Sequence, residues 1–345
     1  MSPTLLDAIM EVPMGDQLVS AIPPHLAVER TRPTSEPDGF RVPFPSFAAW
    51  QAPEVRQVVM AYFGAQQEPG ALDLDGPDAP RHHDRAEPVD GPPELITVAY
   101  WDDPAAFDRW FDRHRDPWVA APGRWIEVVR PTVERFETIL GHRRHPHGVA
   151  TLAERFSDPI REHGYWGSMR DRLPAAQTDE VDDPAPLEVE SSGDVVRVRP
   201  RGSLCLIRSG QDWSGTDDAE RALYLDDVEP SLRAGMDFLS SDGASIGCLH
   251  NRYLRIVDDA GAATDRTYGM SWWRTLGDLE TWAASHPTHL RIFGAFGRLV
   301  RQQGERTRLR LYHEVTVATP EQQWFAYHRC RPGTGLLIAD PARPA

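Results

Sequence analysis

Two histidines three residues apart, His286 and His289, are the clearest candidates for chemistry in the sequence. Ser285 or His286 is placed to cap a helix that begins at Pro287, because proline suits the first helical position. His289 then lies in the first turn of this helix, beside an apolar face. A neutral imidazole held in this way can bind haem iron through one ring nitrogen. It can also bind zinc, although the sequence has no HExxH motif. The alternative is a partly buried histidine at a helix start that binds no ligand.

A third histidine, His313, stands in the segment RLRLYHEVTV at 308–317, whose alternation is typical of a β-strand. Leu311, His313 and Val315 share one face of that strand. Because this face is otherwise apolar, His313 is either a hydrogen-bonded core residue or a general acid and base in a pocket.

Two further segments combine polar side chains with glycine and aromatic residues. HGYWGSMRDR at 163–172 is either a turn with aromatic packing or a loop that projects an arginine, Arg170 or Arg172, into a site. IRSGQDW at 207–213 places Ser209 at the end of a strand. The sequence has no GxSxG elbow, which argues against a Ser-His-Asp hydrolase. It also has no GxGxxG fingerprint, which argues against a dinucleotide site.

The charged residues exclude several classes of enzyme. The 345-residue chain has 37 basic and 52 acidic residues, a net charge of −15, and every basic residue is arginine. Pyridoxal-phosphate enzymes, Schiff-base aldolases, P-loop NTPases and protein kinases each need a lysine, so none of these classes fits. The acidic balance argues against a nucleic-acid surface, which needs clustered positive charge.

The cysteines and the apolar runs bear on the compartment. Cys205, Cys248 and Cys330 are well separated and form no CxxC pair, which argues against a zinc ribbon and against covalent haem attachment. Three cysteines without a disulfide framework are typical of a reducing cytoplasm. The first residues carry no basic n-region of a signal peptide, and no apolar run approaches the roughly 20 residues of a membrane helix. We therefore expect a cytoplasmic protein that makes no membrane contact.

These candidate residues need elements to position them, and the hydrophobic pattern predicts alternating strands and helices. We predict strands at 57–66, 95–101, 124–129, 203–211, 247–257, 267–273 and 308–317. We predict helices at 107–114, 134–140, 219–239 and 276–286, with another from 287. The proline-rich residues 1–45 are predicted to form an arm, and the segments 67–93 and 174–193 to form exposed connections.

Residues 95–114 align with residues 267–286 at a constant offset of 172. Their shared order of strand followed by helix predicts an internal duplication. Two copies of a small β-and-α unit would then pack sheet to sheet with the helices outside. The second copy has His289 where the first has Pro117, which points to a site in the second half of the chain.

Taken together, these motifs resemble the bacterial aldoxime dehydratases, haem enzymes that dehydrate aldoximes to nitriles. The matching stretches, in family order, are QVVMAYFG, YWDDPAA, RFET, HGYWGSMRDR, LIRSGQDW, GMDFL, HPTHLRIF and LYHEV. The resemblance implies an α+β fold, in which duplicated ferredoxin-like units form a β-barrel of the dimeric-α/β-barrel type with outer helices. It also implies haem b, ferrous in the active state, an aldoxime substrate and a homodimer.

The resemblance also implies a division of the chain into an arm and two repeats. The divisions are an N-terminal arm at 1–45, a first repeat at 46–173, an acidic connection at 174–193, and a second repeat at 194–345 that carries the haem ligand.

Five residues receive roles from the resemblance. His289 matches the proximal haem ligand, and His313 matches the catalytic histidine, which acts as general acid and base. Arg172 and Ser209 match a distal arginine and a distal serine that hold the substrate hydroxyl, and Glu137 matches an acidic residue nearby. Two alternatives remain on the same fold, namely a haem peroxidase-like oxidoreductase and a haem sensor or carrier without catalysis.

Overall fold

The computed structural model describes residues 18–67, 70 and 72–339, and these residues form a mixed α/β fold around one large antiparallel sheet. The strands are β1 (Ala49–Trp50), β2 (Val59–Ala65), β3 (His82–Pro88), β4 (Leu95–Trp101), β5 (Arg124–Val129), β6 (Phe136–Leu140), β7 (Arg155–Phe156), β8 (Leu187–Ser192), β9 (Val195–Pro200), β10 (Leu204–Asp212), β11 (Cys248–Val257), β12 (Ala263–Trp273), β13 (Arg310–Ala318) and β14 (Gln323–His328). The helices are α1 (Pro104–Val119), α2 (Ser168–Arg172), α3 (Asp218–Leu223), α4 (Glu229–Ser241), α5 (Leu276–Ser285) and α6 (Pro287–Gln303).

The large sheet contains the same strand order twice. Below, the first half means the residues before 174 and the second half those after 193. The first half contributes β3-β4-β2-β5 and the second half β11-β12-β10-β13, and the two sets join where β11 pairs with β3. Two strands are exchanged between the halves, because β6 pairs with β13 and β14 pairs with β5. Among the described residues the end strands β6 and β8 do not pair with each other, so the implied barrel is not closed.

The central strands β2, β4 and β5 are buried on both faces, and the two faces belong to different cores. In β2, Val59, Ala61 and Phe63 pack beneath α1, whereas Met60 and Tyr62 face a cluster that both halves share. This division follows from the alternation of side chains along a strand. A third cluster lies between the second half of the sheet and the helices α4 and α5.

The helix and strand positions confirm most of the sequence-based predictions, and three are wrong. Residues 134–140 were expected to be helical, but Phe136–Leu140 is strand β6, held by pairing with β13. The segment 67–93 is not only a loop, because it contains β3 between β4 and β11. The connection 174–193 likewise contains β8, which pairs with β9.

The described part of the N-terminal arm has little regular structure. Residues 18–45 contain one short 3-10 turn at Pro24–Leu26 and follow the segment 159–177, with backbone hydrogen bonds at both ends of that contact. The prediction for residues 1–17 lies outside the described residues. In the part of the chain that the structure describes, no helix combines the length and the apolar character needed to cross a membrane.

Candidate active site

His289 lies in the first turn of α6 with one ring nitrogen engaged and the other free. The helix starts as predicted, with His286 at the N-cap and Pro287 at the first position. The Nδ1–H of His289 donates to the carbonyl of Ala283 at 2.8 Å. Nε2 makes no hydrogen bond with the described residues, so its lone pair is available. A histidine that binds a metal through one nitrogen usually donates its other N–H to a carbonyl or carboxylate in this way.

The surroundings of His289 are aromatic and suit a flat apolar group. Its ring lies 4.7 Å from that of Trp282 and 5.9 Å from that of Trp166, measured between centroids. Phe293, one turn further along α6, contacts the same Trp166 at 5.3 Å. Burial lowers the pKa of His289 to about 4, which favours the neutral, ligating imidazole. The residues present therefore fit a haem, which Nε2 of His289 would hold.

A bare metal ion fits this region less well than haem. Among the residues that the structure describes, no group of three or more His, Cys, Asp or Glu side chains could hold a metal ion. Zinc generally takes three or four protein ligands. One available imidazole, that of His289, is enough for haem, because the porphyrin supplies the other nitrogen ligands.

Ser209 and His313 are direct neighbours on adjacent strands. They are cross-strand partners in the pairing of β10 with β13, so both side chains lie on the same face of the sheet. Burial, and after it the charge of Arg172 and the repulsion from a protonated His289, together lower the pKa of His313 to about 3. The structure thus brings His313 near Ser209, Arg172 and His289, and it favours the neutral form of the His313 imidazole.

Arg172 and Glu137 form a buried ion pair with two hydrogen bonds. Nε and Nη2 of Arg172 donate to the two carboxylate oxygens of Glu137 at 2.6 and 2.9 Å. Each residue is 4% exposed. Burial raises the pKa of Glu137, and the charge of Arg172 opposes this by lowering it. Because Glu137 sits on β6 beside β13, its side chain shares a sheet face with His313, although both of its oxygens accept from Arg172.

The rest of the Arg172 guanidinium is also largely occupied. Nη1 donates to the carbonyl of Glu162 at 2.9 Å and to the hydroxyl of Ser168 at 3.2 Å. Within the described part of the chain, four of the five N–H groups of this arginine are therefore used, and one N–H on Nη2 has no protein partner. Arg170, the other arginine of the same motif, instead binds Glu280 and Asp182.

Glu162 was not among the predicted site residues, and it links Arg172 to the N-terminal arm. Its carboxylate accepts hydrogen bonds from the hydroxyl of Ser20 at 2.9 Å and from the backbone N–H of Ala21 at 2.8 Å. Next to it, His163 donates from Nε2 to the carbonyl of Phe44 at 2.7 Å. The sequence gives no signal for these contacts, because more than 100 residues separate the partners.

Comparison with known proteins places this geometry in a family. A family model described as haem-containing dehydratase matches residues 64–336. The chain belongs to the haem-containing dehydratases. The resemblance found in the motifs is therefore confirmed, and with it the assignment of the chain as a lyase that uses haem.

Relatives of this haem-containing dehydratase are similar over nearly their full length. The aliphatic aldoxime dehydratase of a Pseudomonas species is 40% identical, covering 94% of this chain and 99% of the relative. The phenylacetaldoxime dehydratase of Bacillus sp. (strain OxB-1) is 31% identical, covering 85% and 92%. A crystal structure of an aldoxime dehydratase in complex with butyraldoxime matches with a TM-score of 0.86 at 38% identity, covering 95% of this chain and 98% of that one.

Proposed function

We propose that this haem-containing dehydratase converts aldoximes to nitriles, R–CH=N–OH to R–C≡N plus water. The observation that carries the proposal is the placement of Ser209 opposite His313, close to the buried Arg172 and to the available imidazole of His289. These groups supply a haem ligand, two donors for a hydroxyl group and a proton carrier. The names of the relatives, aliphatic aldoxime dehydratase and phenylacetaldoxime dehydratase, support the same reaction.

The aromatic side chains along α6 favour substrates with an alkyl or arylalkyl group. Phe296 contacts Phe44 of the N-terminal arm, with ring centroids 6.4 Å apart, and Phe293 contacts Trp166. Apolar walls with a few polar groups are typical of sites for small molecules. The complex of a related enzyme with butyraldoxime is consistent with this choice.

His289 would hold haem b through Nε2. Haem held there would supply an iron centre, ferrous in the active state, able to take the oxime nitrogen as a ligand and to donate electron density towards the N–O bond. The hydroxyl of Ser209 and the remaining N–H of Arg172 then orient the departing hydroxyl group by hydrogen bonds. Glu137 keeps Arg172 in place and balances its charge.

His313 moves one proton in each cycle. Hydroxide is a poor leaving group, so the oxygen must be protonated as the N–O bond breaks, and the carbon must lose its hydrogen. We propose that His313 transfers a proton from this carbon to the hydroxyl group. The neutral imidazole, which burial favours, is then both its first and its last state. The products are the nitrile and one water molecule.

Further proposals concern the architecture and the assembly. We propose that residues 46–173 and 194–345 are duplicated ferredoxin-like units of a barrel with outer helices, with 1–45 as an arm and 174–193 as a connection. The identical strand order of the two halves supports this. We also propose a cytoplasmic homodimer. The free, buried thiols of all three cysteines support a reducing compartment.

The reaction is tested with reduced protein in the absence of air. Dithionite-reduced holoenzyme is mixed with butyraldoxime or phenylacetaldoxime, and the nitrile is measured by gas chromatography. Nitrile formation that depends on both haem and reduction supports the proposal. Haem-bound protein that forms no nitrile but oxidises donors with peroxide is a peroxidase instead. Protein that binds carbon monoxide without converting either substrate is a haem sensor or carrier.

A further inference from the structure

A buried polar network lies on the other face of β10 and β13 from Ser209 and His313. Arg208 donates from Nη1 to the hydroxyl of Tyr100 at 2.5 Å and from Nη2 to Asp84 at 2.8 Å. The Tyr100 hydroxyl in turn donates to Glu314 at 2.8 Å. Arg208 and Tyr100 are completely buried, and Glu314 nearly so. The network was not predicted from the sequence, because it joins four separate strands.

The surrounding backbone fixes the position of the Glu314 carboxylate. Its second oxygen accepts from the backbone N–H of Val149 at 2.7 Å. Gly148 has a φ of +57°, and a Cβ on it would come within 2.1 Å of this same oxygen. Only a glycine both adopts this backbone conformation readily and leaves room for the carboxylate. Glu314 is thus held by groups from β4 and from the loop at Gly148.

This network is one residue away from both proposed catalytic partners. Arg208 precedes Ser209 on β10, and Glu314 follows His313 on β13. Arg208 and Glu314 are themselves cross-strand partners, immediately next to the pairing of Ser209 with His313. A shift of one residue between these strands would turn every side chain to the opposite face. The contacts that fix Arg208 and Glu314 therefore also fix which residue lies opposite His313.

We propose that Tyr100 and Glu314 are positioning residues, which hold β13 in the register and the position within the sheet that place His313 beside Ser209. This inference rests on the proposed function of His313 as the proton carrier. Glu314 and the hydroxyl of Tyr100 that binds it lie on the opposite side of the sheet from Ser209 and His313, so their effect on turnover would pass through the backbone of β13. The first half of the chain contributes Tyr100, so the position of His313 in the second half would depend on a contact between the halves.

The chain contains a matched control for this proposal. Glu127 on β5 occupies the place in the first half that Glu314 occupies on β13, since each lies on the fourth strand of the repeated order. Tyr327 donates to Glu127 at 3.1 Å and accepts from the backbone N–H of Leu336 at 3.0 Å. Tyr100 likewise donates to one glutamate and accepts one hydrogen bond. Both tyrosines are fully buried, but the Tyr327 network is not adjacent to Ser209 or His313.

The experiment compares Tyr100→Phe with Tyr327→Phe as reduced holoenzymes with butyraldoxime. Haem content, kcat, KM and melting temperature are measured for each. We expect both variants to keep haem and to lose similar stability. We expect kcat of Tyr100→Phe to fall about tenfold with little change in KM, because small displacements of a proton carrier are costly. Tyr327→Phe should keep kcat within about twofold, since the hydrogen bonds of Tyr327 go to Glu127 and Leu336 and not to a residue of β10 or β13.

Additivity separates positioning from general destabilisation. In a His313→Ala background, Tyr100→Phe should lower the residual kcat no further, because the group it positions is gone. Equal losses of kcat in Tyr100→Phe and Tyr327→Phe, or full additivity with His313→Ala, would overturn the proposal. If Tyr100→Phe does not fold, Glu314→Asp serves instead, because the shorter side chain withdraws the carboxylate from Tyr100 and Val149. An unchanged kcat in Glu314→Asp would also overturn the proposal. Absence of nitrile formation by the unmodified enzyme would instead contradict the proposed function.

Discussion

Arg172 and Glu137 face each other as a buried pair in which two N–H groups meet two carboxylate oxygens, at 2.6 and 2.9 Å. With the contacts to Glu162 and Ser168, this pair leaves the guanidinium one unused N–H. Because four hydrogen bonds fix the position of that N–H, it would orient the hydroxyl group in the proposed reaction without a movement of Arg172. An arginine charge also cannot titrate during turnover.

Glu137→Gln should lower turnover while haem stays bound. The amide keeps one acceptor for Arg172 but loses the charge and the second oxygen, so the guanidinium is held less firmly. We expect kcat to fall by about tenfold or more, because a hydrogen bond to a charged group contributes about 1.5–3 kcal/mol. Glu127→Gln is the matched control, since Glu127 forms a similar buried pair with Arg252 at 2.9 and 2.6 Å. Equal kcat for the two variants would contradict a specific role of Glu137.

His289→Ala should abolish haem binding. This substitution removes the available Nε2, and the aromatic walls cannot replace an iron ligand. The measurement is the Soret absorbance per mole of purified protein after haem reconstitution. His286→Ala is the control, because His286 caps the same helix but its Nδ1 is engaged with Thr288. We expect the control to lose about 1 kcal/mol of stability and to keep its haem. Full haem occupancy in His289→Ala would show that another residue is the ligand.

His313→Ala should keep haem and lose turnover. Removal of a general acid and base typically lowers kcat by about 100-fold or more. His328→Ala is a suitable comparison, because His328 is also a strand histidine, and its Nδ1–H donates to the backbone carbonyl of Val119 in the first half. Nitrile formation is followed for both variants at equal haem occupancy. Turnover by His313→Ala at the rate of the unmodified enzyme would remove His313 from the proton transfer.

His163 should make the folded protein less stable in mild acid. Burial lowers its pKa from 6.5 to about 4, so the unfolded chain binds more protons than the folded chain between these values. The free energy of unfolding is therefore unaffected by His163 above pH 6.5. Below that pH the protonation of His163 in the unfolded chain lowers the free energy of unfolding, by roughly 3 kcal/mol in total as the pH falls towards 4. Urea unfolding at several pH values should show a flatter pH dependence for His163→Gln, which keeps a donor for Phe44. Parallel curves for the two proteins would contradict the assignment.

The parts of the site that depend on local sequence could be predicted. The helix start at Pro287 and the place of His289 in its first turn follow from a proline and a capping residue that are adjacent in sequence. The alternation around His313 likewise predicts its strand and its face. These features need no information from distant parts of the chain.

Other features depend on distant partners and could not be predicted. Phe136, Ile139 and Leu140 have a helical spacing, but the same short run also alternates as a strand, and pairing with β13 decides between the two. Strand β3 contains proline and aspartate, which are poor strand formers. It forms because β4 and β11 pair with it and because Asp84 binds the buried Arg208. The pairing of Arg172 with Glu137 and the contacts of Glu162 also join residues that are far apart in sequence.

The exchange of β6 and β14 between the halves means that neither half is a self-sufficient folding unit. A fragment ending near residue 178 would have β6 without β13, and the outer side of β5 without β14. Both would present unpaired backbone at a sheet edge, which promotes aggregation. Two fragments made in the same cell could still assemble into the complete sheet, since each carries the strand that the other lacks. The enzyme should therefore tolerate a break in the chain between its halves but not the loss of either one.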